Sequence, residues 1–170
     1  MIKIENIIKI GFQITWTLLE IGYKSDTVFA DQLTAADIIN YATNKLSEID
    51  DPDIVELACE YDTNSDDIRK YLLKLASSEN SKYDNELKKW MVIYVHTHLP
   101  QENVNHIQGL IELGDIWANL NYPQNSPHVF QGRYNDITPE GYYTPQNYKA
   151  LLKRHYDWIN DEIKQIIDNS

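Results

Sequence analysis

The sequence is poor in the residues that build disulfide-bonded, collagen-like or linker proteins. It has one cysteine, Cys59, and only 6 glycines and 6 prolines among 170 residues. A single cysteine excludes an intramolecular disulfide and a cysteine-based zinc finger. The hydrophobic fraction of 42% and the aromatic fraction of 11% exclude disorder over the whole chain. A chain of this length and composition can fold around a hydrophobic core.

Long apolar runs are also missing. No stretch reaches the roughly 18 apolar residues of a membrane-spanning helix, and charged residues interrupt the sequence after Met1 every few positions. A secretory signal peptide needs an unbroken apolar run and a cleavage site of small residues. We therefore expect a soluble, cytoplasmic protein with no membrane partner.

Basic residues are nearly absent from one part of the chain. The formal net charge is −11. Between Asp26 and Asp67, here called the acidic segment, twelve acidic residues are opposed only by Lys45, so this segment carries the whole excess. Such a charge repels nucleic acid and anionic membranes and favours a basic partner. The alternative is a solvated face that keeps the protein soluble, since Asp and Glu also suit helix N-termini.

Apolar residues recur at helical spacing over most of the sequence, which predicts an all-α fold. We expect one domain, residues 1–170, in the form of an irregular multi-helix bundle. Its predicted parts are a helical core over residues 2–120, an irregular Tyr- and Pro-rich loop over 121–144, and a C-terminal helix over 145–168. Long irregular segments inside a domain are commonly functional.

Local signals predict where several helices begin and end. Thr34 and Asp37 form a near capping box, and Asp51-Pro52 and Thr144-Pro145 each place a capping residue before a proline. We expect a short helix from Thr15 to end at Gly22. The helix after Asp51 is expected to bury apolar residues that include Val55, with Cys59 as a buried thiol.

Catalytic and metal-binding patterns are weak. His96 and His98 are two residues apart and point away from each other on a helix, so they cannot share one ion. No cofactor, metal or catalytic residue is predicted. The alternative is an enzyme that pairs His96, His98, His106 or His155 with a neighbouring carboxylate.

Short motifs carry a resemblance to a known family. The motifs are Ile14-Thr-Trp16, Asp37-Ile-Ile-Asn-Tyr-Ala42, Ile54-Val-Glu-Leu-Ala58, Lys89-Trp90 and Trp117-Ala-Asn-Leu-Asn-Tyr-Pro123. From about Ile14 to Arg133 the chain resembles a family of small bacterial proteins known as a domain of unknown function. The later Gly- and Tyr-rich stretch and the last helix depart from that pattern. The resemblance implies immunity proteins found beside bacterial toxins, and it implies no catalytic residues.

Together, the charge and the resemblance predict a non-enzymatic immunity protein. Its acidic surface would bind and neutralise a basic toxin, such as a nuclease domain. A scaffold module that binds its own kind is a further alternative. Tyrosines of the irregular loop are predicted as flanking contacts, because tyrosine is enriched at interfaces, although it also packs loops onto domains. The predicted toxin-binding residues are Asp50, Asp51, Asp53, Glu56, Glu60, Asp62, Asp66, Asp67, Tyr134, Tyr142 and Tyr143.

Overall fold

The computed structural model describes residues 1–168, and helices are the only regular secondary structure within that range. The all-α prediction is confirmed. The helices are α1 (Ile4–Ile10), α2 (Trp16–Lys24), α3 (Ala35–Lys45), α4 (Pro52–Ala58), α5 (Ser65–Ser78), α6 (Tyr83–His98), α7 (His106–Asn119), α8 (Pro139–Tyr142) and α9 (Pro145–Asp168).

The chain divides into two compact units. Unit 1 is Met1–Ile93, and unit 2 begins at Tyr94, so the boundary falls within α6. The single domain expected for residues 1–170 stays a prediction, and its last two positions, 169 and 170, lie outside the described residues.

In unit 1, α5 packs against α2 and α4, and α3 packs against α4. Trp90 is fully buried, and its indole N–H donates to the carbonyl of Leu18 at 2.6 Å. The bond satisfies the one polar atom of a large apolar side chain. Trp90 therefore ties the middle of α6 to α2, which lies far away in the sequence.

Gly22 does not end its helix, contrary to the prediction. Helix α2 continues through it to Lys24. A Cβ atom at Gly22 would lie 2.0 Å from the ring of Trp90. The glycine is required because the indole occupies the space of a side chain, not because the backbone turns there.

The predicted helix starts are confirmed. Thr34 Oγ1 accepts from the N–H of Asp37 at 3.1 Å, and Asp37 Oδ2 accepts from the N–H of Thr34 at 2.8 Å. Asp51 caps α4 by accepting from the N–H of Asp53 at 2.8 Å. These local contacts supply acceptors for helix N–H groups that have no partner within the helix.

The predicted burial at the end of α4 is wrong in part. Ile54 and Leu57 are buried, but Val55 is exposed and so is Cys59. Helix α4 is only seven residues long and ends at Ala58. Cys59 therefore lies in the turn after the helix instead of on its inner face.

In unit 2, α7 packs against α9. A Cβ atom at Gly109 would lie 2.4 Å from the ring of Tyr148, so this glycine allows α9 to approach α7. The predicted irregular loop contains one short helix, α8. Asn121, Tyr122 and Tyr134 in this loop have positive φ angles, a conformation that non-glycine residues rarely adopt.

Candidate functional site

The eight predicted acidic contact residues lie on α4, on the first turn of α5 and in the turns beside them, all in unit 1. Helices α4 and α5 pack against each other. The structure thus brings the eight carboxylates onto one helical hairpin, which we call the acidic surface. Its members are Asp50, Asp51, Asp53, Glu56, Glu60, Asp62, Asp66 and Asp67.

Five of these eight side chains are exposed and have no hydrogen bond or ion pair within residues 1–168. Exposed carboxylates stay hydrated and charged at neutral pH. They repel one another in the free protein and can attract a basic partner. The five are Asp50, Glu56, Asp62, Asp66 and Asp67.

The other three members are half-buried and have local structural contacts. Asp51 caps α4. Asp53 pairs with Lys74 of α5 at 3.0 Å, and Glu60 accepts from Asn64 at 3.0 Å. These local contacts give three of the eight acids a structural role that requires no binding partner.

Internal cations neutralise little of the acidic segment. Among the described residues, its ion pairs are Lys45 with Glu48 and Lys74 with Asp53, which involve two of twelve acids. The hydrogen bond that Lys45 donates to the carboxylate of Glu48 raises the pKa of Lys45. Both pairs are partly exposed to solvent, and ion pairs that water can reach are weak. The segment therefore keeps most of its negative charge.

Unit 2 contains a buried group of aromatic rings around His155. Trp117 Nε1–H donates to His155 Nε2 at 2.8 Å, and His155 Nδ1–H donates to the carbonyl of Leu151 at 2.6 Å. Both ring nitrogens are occupied, so the imidazole is neutral and fixed in one tautomer. Burial lowers its pKa to about 4. These contacts hold the ring in the interior of unit 2 and leave neither nitrogen free to act as a base.

The sequence analysis missed a second buried histidine, His128. Its ring lies 5.5 Å from that of His155, and its Nε2 lies 3.1 Å from the hydroxyl of Tyr142. Burial and the neighbouring His155 lower the pKa of His128 to about 3. Residue 128 falls in the segment without helical periodicity, so no pattern in the sequence indicates that its side chain is buried.

The remaining predicted histidines do not form a site. His96 and His98 are exposed, and His98 Nδ1 contacts the carbonyl of Tyr94 at 2.8 Å. His106 is half-buried at the start of α7. No histidine forms an ion pair with a carboxylate in the described part of the chain. The pair of a histidine and a carboxylate that the enzyme alternative requires is therefore not seen within residues 1–168.

The three predicted tyrosine contacts occupy different environments. Tyr134 is 98% exposed, whereas Tyr143 is 41% exposed. Tyr142 is only 4% exposed, and burial raises its pKa to about 12. A side chain so deeply buried offers almost no surface to a partner. The prediction for Tyr142 is wrong, because its hydroxyl faces His128 inside unit 2.

Arg133, which the sequence analysis did not single out as a contact, lies beside Tyr134. Its guanidinium is 4.9 Å from the ring centre of Tyr122 and 5.8 Å from that of Tyr134. Stacking of arginine on aromatic rings holds both in place. The Tyr- and Pro-rich loop is thus ordered by its own side chains.

Two further kinds of feature are absent from residues 1–168. No group of three or more His, Cys, Asp or Glu side chains is arranged to hold a metal ion there. None of the helices in that range combines the length and the apolar character needed to span a membrane.

The fold and the acidic surface define a small all-helical protein with a strongly negative helical hairpin. The chain belongs to DUF2247, a family of uncharacterised proteins conserved in bacteria, whose model matches residues 4–163. The match includes most of α9, which corrects the expectation that the last helix departs from the family. Comparison with curated proteins and with solved structures gave no match.

Proposed function

We propose that this protein is a cytoplasmic immunity protein that binds a basic protein toxin through the acidic surface and thereby neutralises it. The observation that carries the proposal is the set of five exposed carboxylates that form no hydrogen bond or ion pair within residues 1–168. The family resemblance, which implies immunity to bacterial toxins, supports the same function. Neutralisation by blocking a toxin's active cleft requires no catalytic residue.

Electrostatic attraction is the main physical effect in this proposal. Unpaired surface charges of one sign steer an oppositely charged partner and raise the association rate, to about 10⁸ M⁻¹s⁻¹ at low salt in favourable cases. Binding also relieves the repulsion among the carboxylates. Tyr134 is proposed as an aromatic anchor, since a rigid, exposed ring binds at low entropic cost. Tyr143, which is 41% exposed in unit 2, is proposed as a weaker toxin contact.

The experiment measures binding to the product of the toxin gene that this proposal expects beside the gene for this protein. The test variant replaces the five exposed acids of the acidic surface by Asn or Gln. We expect its association rate to fall by at least about tenfold at low salt, and the salt dependence of the rate to become shallower. Surface plasmon resonance at several salt concentrations measures both.

The matched control neutralises five exposed acids of unit 2, so that the net charge changes by the same amount. These acids are Glu102, Asp115, Asp136, Glu140 and Asp161. The control should retain most of the association rate. Equal rates for the two variants would show that only total charge matters and that the acidic surface is not the binding site.

A further inference from the structure

Unit 1 contains a pocket of about 390 Å³ that the proposed function has not used. It is lined by residues of α2, of the segment after α2, of α5 and of the start of α6. Glu20, Asp26 and Tyr83 supply its acidic and hydroxyl groups, while Leu73 and Ala76 supply an apolar wall. The pocket therefore combines negative charge with a surface on which a hydrocarbon stem can lie.

Glu20 is the unusual residue of this pocket. It is only 9% exposed, yet it has no hydrogen bond or ion pair within the described residues. Most of its side chain packs against protein, whereas its carboxylate oxygens are open to the pocket and receive no donor from the described residues. Burial raises the pKa of Glu20, and the positive charge of Arg69 offsets part of that rise. Arg69 lines the same pocket without pairing with Glu20.

The pocket borders the acidic surface. Arg69 of the pocket follows Asp66 of the acidic surface by three positions in α5, and residues three apart on a helix lie on the same side. A basic protein attracted to the acidic surface would thus bring its side chains close to the pocket. In the free protein, Arg69 is the positively charged residue of the pocket lining, and its charge acts on Glu20.

We propose that this pocket receives the cationic head of an arginine or lysine side chain from the bound protein, with Glu20 and Asp26 as its acceptors. This inference rests on the proposed function for the source of the side chain. The stem lies against Leu73 and Ala76, and the charged head supplies the donors that Glu20 lacks. Charge-assisted bonds of this kind are short and strong. A metal ion fits less well, since no set of three metal-ligating side chains occurs within residues 1–168.

The test uses small probes and needs no toxin. N-acetyl-arginine methylamide and N-acetyl-lysine methylamide are titrated into the ¹⁵N-labelled full chain and followed by NMR. The citrulline analogue has the shape of arginine without its charge. We expect saturable binding of at least one cationic probe in the millimolar range, with shifts near Glu20 and Tyr83, and no such binding of the citrulline analogue.

Three variants make the test specific. Glu20→Gln keeps the shape of the side chain and should weaken cation binding by about fivefold or more. Arg69→Gln, at an exposed position, should strengthen it by about twofold, because a like charge leaves the pocket. Glu56→Gln removes one charge from the acidic surface outside the pocket and should change the affinity by less than about twofold.

Equal binding of the citrulline analogue, or equal losses in Glu20→Gln and Glu56→Gln, would overturn the proposal. If Glu20→Gln folds poorly, the response to Arg69→Gln decides, and an unchanged or weaker affinity counts against the pocket. Probe binding without any toxin binding would overturn the proposed function but keep the pocket. Toxin binding through the acidic surface without probe binding would overturn the pocket alone.

Discussion

The exposed carboxylates of unit 1 and the buried imidazoles of unit 2 place ionisable groups in opposite environments. On the acidic surface, residues such as Asp62 are exposed to solvent and form no hydrogen bond or ion pair within residues 1–168. In unit 2, His128 and His155 are buried among aromatic rings, and burial keeps both neutral at pH 7. Charges that the fold leaves unpaired are available to a partner, whereas buried neutral groups contribute to stability. Substitutions on the acidic surface should therefore change mainly the binding of a partner, whereas substitutions around the buried imidazoles should change mainly the free energy of unfolding.

The largest expected effect is in the aromatic group of unit 2. Trp117 is fully buried, contacts the ring of Trp158 at 5.3 Å and donates to His155. Trp117→Ala should lower the free energy of unfolding by about 3–5 kcal/mol, because it leaves a cavity. Trp117→Phe, which mainly removes the N–H donor, should cost about 1–3 kcal/mol. Urea unfolding measures both, and a loss below about 1 kcal/mol for Trp117→Ala would contradict a core role.

The next effect is a loss of stability in mild acid. The pKa values of His128 and His155 are lowered from 6.5 to about 3 and about 4. Below pH 6.5 the unfolded chain therefore binds protons that the folded chain does not. Above pH 6.5 both states are unprotonated at these histidines, and the free energy of unfolding does not depend on them. As the pH falls from 6.5 toward 4, protonation of the unfolded chain lowers the free energy of unfolding, by at most about 1.4 kcal/mol per pH unit for each histidine.

Urea unfolding between pH 7 and pH 5 measures this slope. The matched variant is His128→Gln, which removes one of the two titrating groups and keeps a polar side chain of similar length. Its stability should depend less steeply on pH than that of the wild type. Parallel pH profiles for the two proteins would contradict the burial of a neutral histidine at this position.

Features set by neighbouring residues were predictable from the sequence. The capping box of Thr34 and Asp37 depends on residues three apart, and the cap at Asp51 depends on the proline that follows it. The charge of the acidic segment follows from simple counting. Its exposure was also expected, because carboxylates are rarely buried without a partner.

Features set by distant residues were not predictable. Gly22 resembles a helix stop until the ring of Trp90 is seen beside it. The apolar spacing of α2 does not indicate that Glu20 lines a pocket, because that pocket also needs residues of α5 such as Arg69. His128 is buried by an irregular loop, for which sequence periodicity carries no information. Each of these depends on tertiary contacts that one local pattern does not encode.

A third, smaller effect separates the acids of the acidic surface that have a structural role from those that are free. Asp51 accepts the N–H of Asp53 at the start of α4, whereas the adjacent Asp50 is exposed without a partner. Asp51→Ala should cost about 1 kcal/mol of stability. Asp50→Ala removes the same charge and should stay within about 0.5 kcal/mol of the wild type. Equal costs in urea unfolding would show that charge, not capping, determines the effect.

The smallest effect has opposite signs in the two units. Asp62→Asn removes one charge from the acidic surface, so relief of repulsion should stabilise the protein by up to about 0.5 kcal/mol at low salt. Asp157→Asn in α9 makes the same chemical change but breaks an exposed i,i+4 ion pair with Lys153, which should destabilise by up to about 0.5 kcal/mol. Both differences should disappear at high salt, because screening weakens attraction and repulsion alike. Equal signs at low salt would mean that internal cations already balance the acidic surface, and a basic partner would then lose its electrostatic advantage.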